Sequence, residues 1–359
     1  MDDVKKGEKR RRADRRFSVD IGREVAIKQV IRALTVKRVT NALVNLLSLL
    51  FSVLSKKAIV WGMPPIVNVE PTNVCNLHCP LCTTGSGQMD RPSGFMDYSV
   101  YKRFIDAVAD RAVYVTLYHQ GEPYLHKEFN RFVAYAKHKR LYVNTSTNAH
   151  FFDKDLAAEV VKSRLDSMII SLDGVTQESY AFYRRGGSLE KVRQGIGNLV
   201  DAKKALKSKT PYLFLQFLVM KHNEYEIPAM KDMARDLEID RLLFKTIQVQ
   251  TIDEAEEWLP GNEALRRYRF AENILEVKKG GRGVCPRLWL TTLIDWDGVV
   301  VPCCFDKNGK YVMGHIDESP EFKRIWKSDV YQRFRRRSLT QRNSIDICRN
   351  CNYGVAIFR

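Results

Sequence analysis

Cys75, Cys79 and Cys82 stand in the segment Glu70-Pro-Thr-Asn-Val-Cys-Asn-Leu-His-Cys-Pro-Leu-Cys. Their C-x3-C-x2-C spacing delivers three thiolates from one short loop. Three thiolates hold three irons of a [4Fe–4S] cluster and leave the fourth iron open, whereas four cysteines close a cluster or a zinc ion. An open iron implies chemistry at that iron. The other five cysteines are Cys285, Cys303, Cys304, Cys348 and Cys351. Clustered cysteine pairs, in a chain whose first apolar run begins only near residue 42, point to metal binding in a reducing cytoplasm and not to disulfides.

Alternating elements must position this chemistry. Strands are expected at Ile66–Glu70, Ala112–Tyr118, Leu141–Thr147, Ser167–Leu172, Leu213–Val219 and Arg241–Lys245. Helices are expected at Tyr98–Asp110, Lys127–Lys139, Asp153–Ser163, Leu189–Leu206 and Tyr225–Leu237. Six β–α repeats imply a parallel sheet with right-handed crossovers, an α/β partial (β/α)6-type TIM barrel whose site lies at the C-terminal strand ends. Four polar motifs fall on that one rim: the Cys75 loop, Gly121-Glu122-Pro123, Thr147-Asn148, and Ser171-Leu-Asp173-Gly174.

Residues 262–278 read as helix. Beyond Cys285 a small β unit is expected, with Leu290–Asp295 and Val299–Pro302 flanking the Asp-Gly hairpin signal Trp296-Asp297-Gly298. Ser319–Arg337 reads as one further helix. The expected divisions are 1–60 (basic tail and amphipathic helices), 61–250 (core barrel), 251–284 (helical linker) and 285–359 (a small α+β cluster domain).

The 359 residues are 45% hydrophobic and 28% charged, with a net charge of +17. Residues 1–60 hold 15 Lys/Arg against 6 Asp/Glu, a net +9, so about half of the excess lies in a sixth of the chain. Residues 1–16 have a disordered composition. Residues 20–57 read as helix, with Leu43, Leu46, Leu47, Leu50, Val53 and Leu54 at helical spacing. Two readings follow: a helix packed on the core, or a basic amphipathic helix on an anionic membrane, making residues 1–57 a peripheral contact at its inner face.

The cysteine loop followed by Gly-Glu-Pro resembles the radical S-adenosylmethionine (SAM) superfamily over roughly residues 65–245. The C-terminal part resembles its auxiliary-cluster extension, SPASM, or the shortened form called twitch. Gly298-x4-Cys303 is a feature of that extension. A full SPASM domain has about seven cysteines and here there are five, so the twitch form fits better. One departure is Leu81, where many members carry an aromatic residue. The resemblance implies a [4Fe–4S] cluster on Cys75, Cys79 and Cys82 that binds SAM, and one auxiliary [4Fe–4S] cluster on Cys285, Cys303, Cys348 and Cys351. It also implies an electron donor such as flavodoxin or ferredoxin. Cys304 stays unassigned, and zinc is the alternative for the second set.

By that resemblance Glu122 accepts the SAM ammonium, and Arg184 or Arg185 meets its carboxylate. Ser171 and Asp173 contact SAM or form a plain turn. Asn148 orients substrate or SAM or ends a strand, and no catalytic residue is singled out. The implied reaction is hydrogen abstraction by a 5′-deoxyadenosyl radical, with oxidation of an unidentified small-molecule or lipid-linked substrate. The alternatives are a peptide-modifying enzyme, or a non-catalytic iron–sulfur or zinc-stabilised interaction protein. Nucleic acid is disfavoured, because no module with stacking aromatic residues is present.

Overall fold

The computed structural model describes residues 28–271, 274–278, 284–316, 321–349 and 351. The expectation for residues 1–16, and the start of the 20–57 helix, lie outside the described residues. Within them, residues 28–33 are helical, the helix is interrupted at 34–35, and helix α1 runs Val36–Ser55 behind the N-cap Thr35.

The expected alternation is present. Strands β1 (Ile66–Val69), β2 (Tyr114–Leu117), β3 (Tyr142–Thr147), β4 (Ser167–Ser171), β5 (Tyr212–Val219) and β6 (Arg241–Thr246) pair in parallel and in sequence order. Between them lie α2 (Tyr98–Val108), α3 (Phe129–His138), α4 (Lys154–Lys162), α5 (Gln177–Tyr183), α6 (Leu189–Ala205) and α7 (Ile227–Asp236). Short polar side chains start most of these helices. Asp97, Asp153 and Ser188 each accept a first-turn N–H, and Thr176 closes a capping box with Ser179 over the unexpected α5.

Two expectations need correction. The stretch 262–278 is not helical: β7 (Tyr268–Ala271) and β8 (Ile274–Val277) form an antiparallel hairpin after the short α8 (Ile252–Trp258), so the 251–284 linker is mixed. Its Arg, Glu and Leu residues favour helix locally. Yet Tyr268 is buried beside exposed Arg269, and Glu276 is exposed between half-buried Leu275 and Val277, a period of two. The expected helix over 319–337 is two helices, α10 (Phe322–Trp326) and α11 (Asp329–Thr340), because Ser328 caps a fresh start by accepting from Tyr331 N–H. The expected C-terminal β unit is present, and it joins the core sheet. β9 (Thr291–Ile294) pairs in parallel with the free edge of β1, and β10 (Val299–Val301) and β11 (Gly314–His315) continue it antiparallel. The result is one nine-stranded sheet in the order β11-β10-β9-β1-β2-β3-β4-β5-β6.

Helix α1 clamps onto this body through its polar face. Arg38, Asn41, Asn45, Ser48 and Ser52 are buried. The Arg38 guanidinium donates to the carbonyls of Ala33, Ala109, Lys139 and Arg140. Asn41 exchanges hydrogen bonds with the Met63 backbone. Trp289, in α9 (Arg287–Leu290), donates its indole N–H to Ser52 and Ile59. Arg38→Met is expected to lower stability by about 3 kcal/mol, since four carbonyls lose a charged donor away from water. The urea midpoint measures this, and a shift below about 1 kcal/mol would contradict the clamp.

Candidate active site

The cysteine loop leaves β1 and crosses the C-terminal end of the sheet. Cys79 is buried, and Cys75 and Cys82 are half-buried. Around them lie Leu77, Leu81, Tyr183, Met220, Ile247 and Trp258, a second apolar cluster apart from the main core. Burial pushes the Cys75 thiol up to about 12, with the Glu122 carboxylate and the other two sulfurs adding to it. Three thiolates in such a pocket require a cationic partner. The donor set therefore fits an iron cluster. His78 is exposed, and its N–H donates to the Arg185 carbonyl, a local backbone tie.

Beside this loop, Gly121 adopts φ 71°, and a Cβ there would lie 2.6 Å from the Val74 carbonyl and 2.7 Å from that of Thr72. Only glycine allows that approach, which delivers Glu122 to the rim. The Glu122 carboxylate is 2% exposed. It accepts from Thr147 Oγ1 (2.7 Å), Asn148 N–H (2.7 Å) and Tyr124 N–H (3.2 Å). Burial pushes its pKa up to about 7 against those bonds. Asn148 Nδ2 reaches Asn76 Oδ1 in the cysteine loop at 2.8 Å, so the β3 end and the cluster loop are directly tied.

The structure separates the two arginines. Arg184 points inward, with Nε 2.5 Å from Asp173 Oδ2 and a terminal nitrogen 3.8 Å from Cys79 Sγ, while Arg185 is exposed. Asp173 is fully buried, and its second oxygen accepts from Leu218 N–H at 2.7 Å. Its carboxylate thus holds Arg184 and the β5 backbone. Ser171 is buried at the end of β4.

Sequence reasoning missed a charged cluster at the junction of the core and the extension. Arg91 grips Glu70 with two bonds of 2.5 and 2.6 Å and lies 3.7 Å from Asp295. Donor atoms of Glu70, His119 and Asp295 all fall within 4.8 Å of one another. Burial, then the Glu70 charge, pushes Asp295 up to about 8, and burial pushes His119 down to about 4. Both are thus favoured neutral near pH 7, and the Arg91 guanidinium supplies the cation. Arg91 also donates to the Lys307 carbonyl, and the Trp296 ring lies over Gly94 where a Cβ would sit 2.4 Å away. The signal in the sequence was position: Glu70, His119 and Asp295 each follow a strand end.

In the extension, Cys285, Cys303, Cys348 and Cys351 are all buried, and Cys304 is half-buried. Burial and the neighbouring Cys304, Cys285 and Cys348 sulfurs push Cys303 well above the ordinary thiol range. Cys348 is pushed up to about 12 by burial, then by Cys285 and Cys351. The four therefore converge. Tetrahedral zinc would hold sulfurs about 3.8 Å apart, given its Zn–S length. A multi-iron cluster, whose cysteines bind different iron atoms, holds its sulfurs farther apart. Cys304 Sγ lies 2.8 Å from the Arg287 guanidinium.

The radical SAM superfamily model matches residues 69–216, and the iron–sulfur cluster-binding SPASM model matches residues 285–352. The chain thus carries a radical SAM domain followed by a C-terminal SPASM iron–sulfur cluster-binding domain, as its two groups of cysteines imply. It is 27% identical to the Fe-coproporphyrin III synthase of Methanosarcina barkeri over 54% of this chain, which spans 45% of that protein. It is 24% identical to the mycofactocin maturase MftC of Mycobacterium ulcerans, over 81% of this chain and 80% of that protein. Among solved structures, Streptococcus suis SuiB bound to S-adenosylmethionine superposes with a TM-score of 0.57 at 13% identity, covering 82% of this chain and 74% of that one, a likeness of fold. These matches imply a [4Fe–4S] cluster with SAM in the core and an auxiliary cluster in the extension.

Glu122 has its folded pKa raised from 4.5 to about 7. Its contribution to stability is therefore full below the unfolded value and is lost as pH rises through that window. Glu122→Gln stays neutral throughout. Its urea midpoint relative to the unmodified protein is expected to rise between about pH 5 and about pH 7.5 in the SAM-free state. A pH-independent difference would contradict the raised pKa.

Proposed function

We propose that this protein is an enzyme that cleaves SAM reductively and abstracts hydrogen from its substrate. The observation that carries the reading is the convergence of Cys75, Cys79 and Cys82 with Glu122 and Arg184 at one apolar-walled rim. When bound there, a [4Fe–4S] cluster with SAM supplies a 5′-deoxyadenosyl radical. Cys75, Cys79 and Cys82 hold the cluster and leave one iron for the SAM amino and carboxylate groups.

Glu122, held by three donors, offers its buried carboxylate to the ammonium. Arg184, aligned by Asp173, would meet the SAM carboxylate in preference to the exposed Arg185. Ser171 ends β4 on the same rim and would contact SAM or its ribose, and Asn148 positions Glu122 through its N–H. Leu77, Leu81 and Trp258 would keep water from the site. Cys285, Cys303, Cys348 and Cys351 hold the auxiliary cluster. Four thiolates would close it, which suits electron transfer, and a donor of the flavodoxin or ferredoxin type would supply the electron that SAM cleavage consumes.

A relative named as a maturase matches over 81% of the chain and one named PqqA peptide cyclase over 52%, and the second name favours a peptide substrate over oxidation of a small molecule. The eight free cysteines suit a cytoplasmic setting.

Reduced, iron-loaded protein is expected to form 5′-deoxyadenosine from SAM, and Cys79→Ala to form none. Glu122→Gln with full iron content is expected to bind SAM about tenfold or more weakly, the loss of one charged hydrogen bond. Affinity in the unmodified protein should also rise with pH through about 7, as Glu122 ionises, and stay level in the variant. SAM binding unaffected by both substitutions would overturn the assignment.

A further inference from the structure

Helix α1 is inverted. Its polar stripe, Arg38, Asn41, Asn45, Ser48 and Ser52, faces the protein. Its apolar stripe faces outward: Leu43 is 56% exposed, Leu46 49%, Leu47 47%, Phe51 46% and Leu54 63%. Positions 43, 46, 47, 51 and 54 follow helical spacing, so these side chains form one continuous ridge. Trp61, 50% exposed, extends it, its ring 5.4 Å from that of Phe51. Scattered exposed leucines are ordinary, but a contiguous ridge of this kind marks a contact surface.

The surroundings of the ridge are cationic. No acidic residue occurs in the sequence between Glu24 and Glu70, and Lys28, Arg32, Lys37, Lys56 and Lys57 fall in that interval. A groove beside Trp61 is lined by Arg111, Lys323 and Lys327 together with Thr40 and Val44. Asp110 lies 3.6 Å from Lys37 near the start of the helix.

We infer that this face docks on an anionic lipid bilayer, with α1 lying in the plane of the interface. The leucine ridge and the Phe51–Trp61 pair enter the headgroup–acyl boundary. Arg111, Lys323 and Lys327 sit at headgroup depth, where phosphate complements them.

Two other arrangements fit less well. Val36–Ser55 is long and apolar enough to cross a membrane, but crossing would strip the four carbonyl bonds of Arg38 and place Asn41, Asn45 and Ser52 in hydrocarbon. A two-fold pairing of this face with a second copy would bring the same cations together across the interface, at a repulsive cost. The inference stands independently of the chemistry at the cysteine loop, so either can fail alone.

Full-length, iron-loaded protein is to be sedimented with vesicles of phosphatidylcholine alone and with vesicles containing phosphatidylglycerol. Binding to the anionic vesicles is expected to exceed that to neutral ones and to weaken with salt. Leu43→Ser/Leu47→Ser/Leu54→Ser replaces exposed side chains only, so it should keep its iron content and urea midpoint while partitioning about 100-fold more weakly. Lys56→Gln/Lys57→Gln/Lys323→Gln should lose most of the preference for anionic vesicles. Three results would overturn the inference. One is absence of binding by the unmodified protein, including the case where it instead dimerises through the ridge. A second is equal binding by the leucine variant, which would assign attachment to the basic N-terminal segment. The third is an undiminished anionic preference in the lysine variant.

Discussion

Strand β1 is hydrogen-bonded along both edges in one register, Ile66 to Tyr114 and Thr291, Val69 to Leu117 and Ile294. The cysteine loop begins where this strand ends. Its position is therefore set by the core on one side and by the extension on the other. A four-residue strand could not hold such a loop alone; a strand central to a nine-stranded sheet can. The buried Arg91–Glu70 pair locks the same junction, because Glu70 directly follows β1 and Arg91 also reaches the extension at Lys307 and Asp295.

From that constraint the rim follows in order. Parallel strands place their C-terminal ends together, so Glu122, Asn148, and the pair Ser171 and Asp173 arrive on the rim of the cysteine loop from three successive strands. The links between neighbours are polar and short. Glu122 accepts from the β3 end, Asn148 reaches the cysteine loop, and Asp173 aligns Arg184 toward Cys79. The walls are apolar, which strengthens each charge interaction and raises the cost of leaving any of them unmatched.

The extension and α1 share a fastening as well. Trp289 precedes β9 and hydrogen-bonds Ser52, and Trp326 donates to the Gly62 carbonyl. Helix, core and auxiliary-cluster region are thus one packed body. The outward leucine ridge is the consequence of spending the polar side of α1 on that packing.

Local spacing determined much of this in the sequence itself. Three cysteines within eight residues can only act together, whatever the fold. The β–α alternation and the Asp-Gly hairpin signal are short-range patterns, and all six core strands appear within a few residues of their expected bounds. What local pattern could not decide were the partners across long separations. Residues 262–278 carry helix-favouring types, yet pair as a hairpin because burial alternates. Arg184 and Arg185 are adjacent and identical in type; only the packed position of Asp173 selects the first. Glu70, Arg91 and Asp295 span 225 residues, so their meeting is invisible to any window. The wheel of α1 displays two faces, but which one turns inward depends on carbonyls at Ala109, Lys139 and Arg140, which only the tertiary structure brings into reach.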